Sequence, residues 1–365
     1  MSKKWGAVFF FVILLVIPNP GNSAESREPG RSVKMTEVKR ITDYDGDFIF
    51  RSIRGIKISD DGSVYVRCRE HLFKFTPDGK WVLNYITKGE GPGEVKYFVN
   101  FDLSENSIWV GAVYPVKLIR FSTAGEMEEE TAVRGIGNFS VFAGIWGRPY
   151  FIKQDQDIRN SKSGILKETN TLFYLDQNNL PVNTGLTFTT KNLMMKESGK
   201  NGMRVMISEL THLLRAYDGK RFLYISESEK YRIFKVDLKS HKMIKKFTQD
   251  YKPIPYVKKE YTNKVDVELN SLYDRKFYND IYKILIYQGK LLIFTSTLNG
   301  EGEMRVDILD SKGTFSDHFY LKLPGVERPD DLERKPLLLH KGYLWTTDID
   351  EDDVPFVLKY RIEGF

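Results

Sequence analysis

Apolar and polar residues alternate in short runs along most of the chain, and tight polar turns separate the runs. The clearest stretch is "GIKISDDGSVYVRCREHLFKFTPDGKWVLNYI", in which Ile56 and Ile58 alternate with polar residues at the two-residue period of a half-buried strand. Asp61-Gly62 and Asp78-Gly79 interrupt this alternation, and Asp-Gly pairs favour hairpin turns because glycine accepts positive φ. The stretch predicts four short strands in one antiparallel sheet.

The same order of strands and turns recurs to the end of the chain. The later copies are "FVNFDLSENSIWVGAVYPVKLIRFSTAGEMEEE", a degraded copy with "FAGIWGRPYFIKQ" and "TLFYLDQNNL", "LLRAYDGKRFLYISESEKYRIFKVDLKSHKMIKKF", "KILIYQGKLLIFTSTLNGEGEMRVDILDSKGTF" and "LLLHKGYLWTTDIDEDDVPFVLKYRIEGF". Units of three or four strands that repeat every ~40 to 70 residues are typical of propellers. The pattern predicts an all-β fold, a six-bladed β-propeller. Unrelated meanders in two sandwiches are the alternative.

The sixth unit has no fourth strand of its own before the chain ends at Phe365. The segment "VKMTEVKRI", residues 33–41, has the composition of a strand and belongs to no other unit. We expect it to close the ring by completing the last blade, because pairing the two ends protects an otherwise exposed sheet edge.

Two insertions interrupt the repeat, at residues 189–212 and 251–280. The second insertion follows Pro253 and Pro255 with apolar residues at helical spacing, which predicts a short amphipathic helix between blades 4 and 5. These apolar positions are Tyr261, Val265, Leu269, Leu272 and Phe277.

The first residues have the three parts of a signal peptide. Lys3 and Lys4 precede an apolar run of about 11 residues, against roughly 20 needed to cross a bilayer as a helix. Small polar residues then lead to a cleavage position after Ala24. We therefore expect residues 1–24 to direct export to the periplasm or the extracellular space. Residues 25–365 would form a single propeller domain without a transmembrane segment.

Charge and cysteine content narrow the classes of partner. The formal charge of +6 falls to +4 without the signal peptide, which carries two lysines and no acidic residue. A charge this small on so long a chain argues against nucleic acid as a partner. Cys68 is the single cysteine, so an intramolecular disulfide and a cysteine-rich zinc site are both excluded.

The motifs "ISDDGSVYV", "LFKFTPDGK", "KGEGPGE", "NSIWV" and "LIRFSTAGE" resemble those of a known family. The chain is similar to the exported bacterial six-bladed β-propeller proteins, which are related in form to the NHL and TolB-like propellers. This resemblance is strongest over residues 50–130 and continues more weakly to the C-terminus. It implies a propeller fold, export and a binding role, without an assigned activity.

The glycine-rich stretch "KGEGPGE", residues 88–94, could be a phosphate-binding loop or a turn. A phosphate loop needs successive backbone N–H donors, often beside a lysine. Pro92 supplies no N–H, and Glu90 and Glu94 carry the same charge as a phosphate. We interpret the stretch as the turn that connects the first two blades, and not as a nucleotide site.

Metal and catalytic signatures are weak. The five histidines are scattered, and no catalytic residue can be assigned, because the sequence has no G-x-S-x-G motif. The acid clusters "DYDGD" and "DIDEDD" have the 1-3-5 spacing of calcium loops but lack the glycine and glutamate that complete them. We favour solvated loops and assign no cofactor. Calcium or another divalent metal stays an alternative.

The mouth of the central channel is the remaining candidate site, where the inner strands begin. Residues predicted near these beginnings are Arg51, Arg54, Asn100, His212, Tyr282 and Arg334. Arginines there would suit an anionic or carboxylate-bearing ligand, although ordinary capping of strand ends is an equal explanation. We favour a non-catalytic module that binds a peptide, glycan or protein partner. The alternative is a metal-dependent hydrolase or lyase, similar to a lactonase, in the central channel.

Overall fold

The computed structural model describes residues 30–42, 48–104, 106–133, 136, 139–143, 148–199, 202–259, 268 and 271–363. These residues contain twenty-five β-strands and the 3₁₀ helix Pro329–Leu332. Contacts group Arg31–Phe365 as one unit. The predicted signal peptide lies outside the described residues. Within the described ranges, no helix is long and apolar enough to cross a membrane.

Tight turns at the predicted positions create the first two blades. Gly62 and Gly79 have φ values of 89° and 83°, which glycine adopts without steric cost. After β1 (Arg31–Ile41), blade 1 contains β2 (Ile53–Ile58), β3 (Val64–Cys68), β4 (His71–Phe75) and β5 (Trp81–Asn84). Blade 2 contains β6 (Tyr97–Leu103), β7 (Ser107–Val113), β8 (Lys117–Ser122) and β9 (Met127–Ala132). Both sheets follow chain order, with the first strand beside the channel.

Blade 3 has five strands, because residues predicted as an insertion extend its sheet. The strands are β10 (Phe139–Ala143), β11 (Pro149–Gln156), β12 (Gly164–Leu175), β13 (Pro181–Gly199) and β14 (Gly202–Glu209). Residues 189–212 therefore do not leave the blade. They continue β13 to a length of 19 residues and return as β14, paired from Asn192↔Glu209 to Gly199↔Gly202.

Blades 4 and 5 return to four antiparallel strands. Blade 4 contains β15 (Leu214–Tyr217), β16 (Phe222–Ser226), β17 (Arg232–Asp237) and β18 (Lys242–Thr248). Blade 5 contains β19 (Ile281–Tyr287), β20 (Lys290–Leu298), β21 (Met304–Leu309) and β22 (Phe315–Leu321).

Within the amphipathic helix predicted between blades 4 and 5, the described residues Glu268 and Ser271 have helical backbone, but no continuous helix is described there. Three of its five apolar positions, Tyr261, Val265 and Leu269, lie outside the described residues. The other two, Leu272 and Phe277, are 41% and 50% exposed, and Phe277 forms an antiparallel bridge with Pro255. Leu272 lies in a turn directly after the helical residue Ser271, whereas Phe277 lies in a β-bridge, so the predicted helical spacing does not continue to Phe277.

The N-terminal strand closes the ring, as predicted. Blade 6 contains β23 (Leu337–His340), β24 (Tyr343–Ile349) and β25 (Pro355–Glu363), and β1 is its fourth strand. β1 pairs antiparallel with β25 from Lys34↔Glu363 to Ile41↔Val357. The start of β1 also pairs in parallel with β22 over three residues, so blades 5 and 6 share one eight-stranded sheet.

Each blade is buried on both faces. In β7, Ile108 and Val110 pack with Tyr65 of blade 1, whereas Trp109, between them in sequence, packs with Phe139 of blade 3. All three β7 side chains are 3% exposed or less. Alternate positions of one strand thus contribute to two cores, which is why β7 has three consecutive apolar residues at these positions. Similar clusters join every other neighbouring pair, including blade 6 with blade 1.

The closing strand provides a test of the ring. Ile41 is 3% exposed and packs with Phe75 and Val357, whereas Val38 on the same strand is 40% exposed. We expect Ile41→Ala to lower the free energy of unfolding by about 2–4 kcal/mol, because it leaves a cavity between blades 6 and 1. Val38→Ala is the matched control and should change it by less than about 0.5 kcal/mol. Equal effects in denaturant titrations would contradict this packing.

Candidate functional site

A polar cavity lies at the end of the channel where the inner strands begin. It encloses about 320 Å³ and is lined from blades 3 to 6. Its polar lining residues are Ser140, Gln154, Glu168, Asn170, Glu209, Thr211, His212, Arg215, Lys283 and Glu333. We call it the strand-start cavity. A wider cavity of about 840 Å³ follows along the channel, and Arg215 and Ile284 line both.

His212 lies between two carboxylates. Its Nδ1 is 2.9 Å from Oε2 of Glu209, and its Nε2 is 3.2 Å from Oε2 of Glu333. Burial opposes protonation of the ring, but the hydrogen bonds and charges of the two carboxylates outweigh it and raise the pKa of His212 to about 9. The hydrogen bond from His212 lowers the pKa of Glu209. At neutral pH the three side chains form a charged group, in which the contact between Nε2 of His212 and Glu333 is an ion pair outside hydrogen-bond geometry.

Two further cations enter the cavity from neighbouring inner strands. Arg215 on β15 donates to Oγ of Ser140 through one terminal nitrogen and to the carbonyl oxygen of Val141, at 3.4 Å, through the other. Lys283 on β19 donates through Nζ to the carbonyl oxygen of Glu333 at 3.4 Å. Burial lowers the pKa of Lys283 to about 8, against the opposing charge of Glu333.

The carboxylate that blade 3 contributes, that of Glu168, has only neutral hydrogen-bond donors among the described residues. Glu168 is 8% exposed and accepts hydrogen bonds from four neutral donors, namely Gln154, Gln156, Thr190 and Asn192. Neighbouring Asn170 is fully buried and donates to Oγ1 of Thr190 at 2.8 Å. Within the described residues, Oδ1 of Asn170 and Oε1 of Glu333 are buried without a hydrogen-bond donor. The cavity wall therefore still has acceptors to offer.

Of the six residues predicted at the channel mouth, His212 lines the strand-start cavity. Arg334 follows Glu333 directly but is exposed. Arg51 and Arg54 are also exposed, and Nε of Arg54 is 3.4 Å from Oγ of Ser52. These three arginines are absent from the lining of either channel cavity.

Asn100 and Tyr282 have structural contacts. Nδ2 of Asn100 donates to the carbonyl oxygen of Val141 at 2.6 Å, and its Oδ1 accepts from the Val141 N–H at 2.9 Å. This amide thereby joins blade 2 to the inner strand of blade 3. Tyr282 is 1% exposed within the core between blades 5 and 6, and burial raises the pKa of its hydroxyl.

Sequence reasoning missed Arg215, Lys283, Glu168 and Glu333. A signal was present for two of them, because "LLRAY" and "IYKIL" each place one cation inside an apolar inner strand. A charge at such a position must face either the channel or a buried partner. Glu168 and Glu333 gave no comparable signal, since glutamates are common in polar stretches of this chain.

The glycine-rich loop "KGEGPGE" connects β5 to β6, and carboxylates of the chain occupy its backbone donors. The N–H of Gly91 donates to Oε2 of Glu94 at 2.9 Å, and the N–H of Gly93 donates to Oε2 of Glu130 at 2.7 Å. A Cβ on Gly89 would lie 1.9 Å from Oε2 of Glu94, so that glycine makes room for the carboxylate. The loop is the predicted turn. Glu94 of the loop and Glu130 of β9 accept the hydrogen bonds that an external anion would otherwise accept.

One of the two acid clusters lies among the residues that the structure describes. Asp43, Asp45 and Asp47 lie outside the described residues. In the second cluster, Oδ1 of Asp350 accepts from the backbone N–H groups of Asp352 and Val354, at 3.0 and 2.8 Å. Among the residues that the structure describes, no group of three histidine, cysteine, aspartate or glutamate side chains is arranged to hold a metal.

Comparisons with known proteins agree with the fold. A family model described as a 6-bladed beta-propeller matches residues 44–208, which contain the first three blades. The match and the six blades confirm the propeller fold that the resemblance implied, and in its fold the protein is a six-bladed β-propeller. No curated protein matches the chain.

Similar solved structures extend this likeness over most of the chain. A candidate exported protein from Bacteroides fragilis is 12% identical, with a TM-score of 0.55, and the match covers 92% of this chain and 98% of that one. A member of the DUF4221 family from Bacteroides vulgatus is 11% identical, with a TM-score of 0.55, and the match covers 92% and 100%. At these identities the likeness concerns the fold alone.

The charged group around His212 predicts a pH dependence. A histidine whose pKa is raised from 6.5 to about 9 stabilises the fold below pH 6.5, and this contribution is lost as the pH rises through 9. The contribution should be about 1–2 kcal/mol, because Glu209 is 60% exposed and solvent screens its charge.

The measurement compares the wild-type protein with His212→Gln in denaturant titrations at pH 6, 8 and 10. The difference in unfolding free energy between the two should shrink as the pH rises. A difference that does not change with pH would show that His212 is not protonated in the folded protein.

Proposed function

We propose that the protein is an exported recognition module that binds the terminal sugar of a glycan in the strand-start cavity. The observation that carries this proposal is a cavity with donors and acceptors from four blades, in which two buried acceptors, Asn170 Oδ1 and Glu333 Oε1, have no donor among the described residues. Sugar hydroxyls donate and accept hydrogen bonds, so they can satisfy both kinds of group.

The size and surroundings of the cavity support a sugar. Its volume of about 320 Å³ lies at the lower end of the range for small-ligand pockets, which is ~300–1,000 Å³. Tyr97 and Tyr114 lie where the inner strand of blade 2 begins, outside the lining of the cavity; they are 51% and 69% exposed and have ring centroids 5.6 Å apart. Exposed aromatic rings provide flat apolar surfaces on which the C–H faces of sugars can stack.

Export is the second part of the proposal. It rests on the signal-peptide pattern of residues 1–24 and on the resemblance to exported propellers. The periplasm or the cell surface is where a bacterial protein meets polysaccharides. A fold that is stabilised by six inter-blade cores, with a single cysteine, needs no disulfide in that compartment.

Calorimetric titration of residues 25–365 with a set of neutral and acidic mono- and disaccharides tests the proposal. We expect at least one saccharide to bind, and Glu333→Gln to weaken it about tenfold, because the amide replaces one acceptor by a donor. Glu70→Gln, on the surface beside Lys88, is the matched control and should not affect binding. Binding of acidic or neutral peptides, with no response to any saccharide, would contradict a glycan ligand.

A metal-dependent hydrolase or lyase in the channel stays the alternative prediction. Metal analysis of the purified protein tests it directly. A stoichiometric divalent ion that is lost in His212→Ala would favour the enzyme, because that histidine is the one that lines the cavity. A protein that binds saccharides without stoichiometric metal and leaves them intact would argue for recognition alone.

A further inference from the structure

The charges in the strand-start cavity are unevenly paired. Glu209 and Glu333 both contact His212, and four neutral donors surround the carboxylate of Glu168. Among the described residues, no carboxylate lies within 4.0 Å of the cationic nitrogens of Arg215 or Lys283. Within that part of the chain, Arg215 and Lys283 therefore have no carboxylate in direct contact, and the charges of Asp102 and Glu333 act on them only from a greater distance.

Another channel lysine shows the ordinary arrangement. Lys57 on β2 lines the wider cavity, and its Nζ is 2.7 Å from Oδ1 of Asp102 on the neighbouring blade. The chain therefore supplies a carboxylate partner for a lysine in the same channel. Lys283 has instead one long hydrogen bond to a carbonyl oxygen.

Leaving a cation in this position has a cost to the fold. Removal from water disfavours the ionised form of a charged group, and the charge of Glu333 offsets only part of this effect at Lys283. The lowered pKa of Lys283, about 8, is the sign of that cost. An anion bound beside Lys283 would reduce that cost, because it would place a negative charge in direct contact with the lysine. Unfavourable local electrostatics of this kind are typical of binding sites.

Arg215 is held in place for such an anion. Ser140 and Val141 accept from its two terminal nitrogens, and its guanidinium carbon lies 5.5 Å from the ring centroid of Phe142. A guanidinium has five N–H donors in a planar fork, so three of them stay free for a ligand. That fork matches the two oxygens of a carboxylate, and its fixed position reduces the entropy lost on binding.

We infer that the sugar bound in this cavity is a uronic acid, whose carboxylate lies between Arg215 and Lys283. This inference rests on the proposed function and specifies the ligand class of the same site. The hydroxyls of the sugar would donate to the free acceptors Asn170 Oδ1 and Glu333 Oε1. An acidic sugar therefore supplies a negative charge to the cations as well as hydrogen bonds to the acceptors, whereas a neutral sugar would supply hydrogen bonds alone.

Titration with matched sugar pairs tests the ligand class. The probes are glucuronate, galacturonate and mannuronate with glucose, galactose and mannose. We expect at least one uronate to bind roughly tenfold or more tightly than its neutral partner, the effect of a hydrogen bond to a charged group. Neutral sugars that bind as tightly as uronates would overturn the inference and leave the proposed function standing. No response to either series, or to longer saccharides, would overturn both.

The variant Lys283→Met separates a binding role from a structural one. If Lys283 stabilises the fold, its replacement by methionine should lower the melting temperature. A lysine kept for an anionic ligand should, on replacement, leave the melting temperature of the unliganded protein unchanged or raise it, because an unpaired charge is removed. We expect that result together with at least a tenfold loss of uronate affinity and unchanged affinity for any neutral sugar.

Lys57→Met is the matched control, because it removes a channel lysine that already has a carboxylate partner. It should leave uronate binding intact. The inference fails if Lys283→Met destabilises the protein and binds uronates as well as the wild type does. It fails equally if Lys57→Met and Lys283→Met weaken uronate binding to the same extent. The loss of affinity would then come from the lower positive charge of the whole channel and not from the contact with Lys283.

Discussion

The structure depends on one constraint, which is that both faces of every blade must be covered by a neighbour. Ile108 and Val110 face one core and Trp109 faces the next, so no blade can bury its own apolar residues. A row of such sheets is stable only when it closes on itself, because an open row leaves two apolar faces in water. The pairing of β1 with β25, and the core that blade 6 shares with blade 1, meet this requirement.

The same constraint leaves the channel as a natural place for buried polar chemistry. Side chains on the blade faces are committed to packing, whereas those at the inner strands and the connections before them are not. Arg215 and Lys283 occupy such positions on adjacent blades, and a rigid scaffold fixes their spacing. Charges in that position weaken the unliganded fold, and a ring with six apolar cores can tolerate the loss. The stability of the blade cores thus allows the channel to contain buried charges that lower the stability of the unliganded protein.

The fold was largely predictable from local patterns, and the site was not. Asp-Gly turns and the two-residue period identified the blades, and the unassigned segment 33–41 identified the closing strand, because these features act within a few residues. Phe277 was predicted to lie on the helix but forms a β-bridge with Pro255, because apolar spacing alone does not show where a helix ends. Asn100 was predicted at the channel mouth, and the structure shows that its amide hydrogen-bonds with the backbone of Val141 on the neighbouring inner strand. Hydrogen bonds of this kind form between blades, so no pattern of neighbouring residues in the sequence predicts them.

Closure by the N-terminal strand also fixes an order of events during synthesis. β1 leaves the ribosome, and on export would cross the membrane, before any blade exists for it to join. Its partner β25 follows roughly 300 residues later, so this pairing spans nearly the whole chain. Until then the edge of β1 stays open to other strands. The polar, charged residues on its outward positions, such as Lys34, Glu37 and Arg40, would keep the waiting strand soluble.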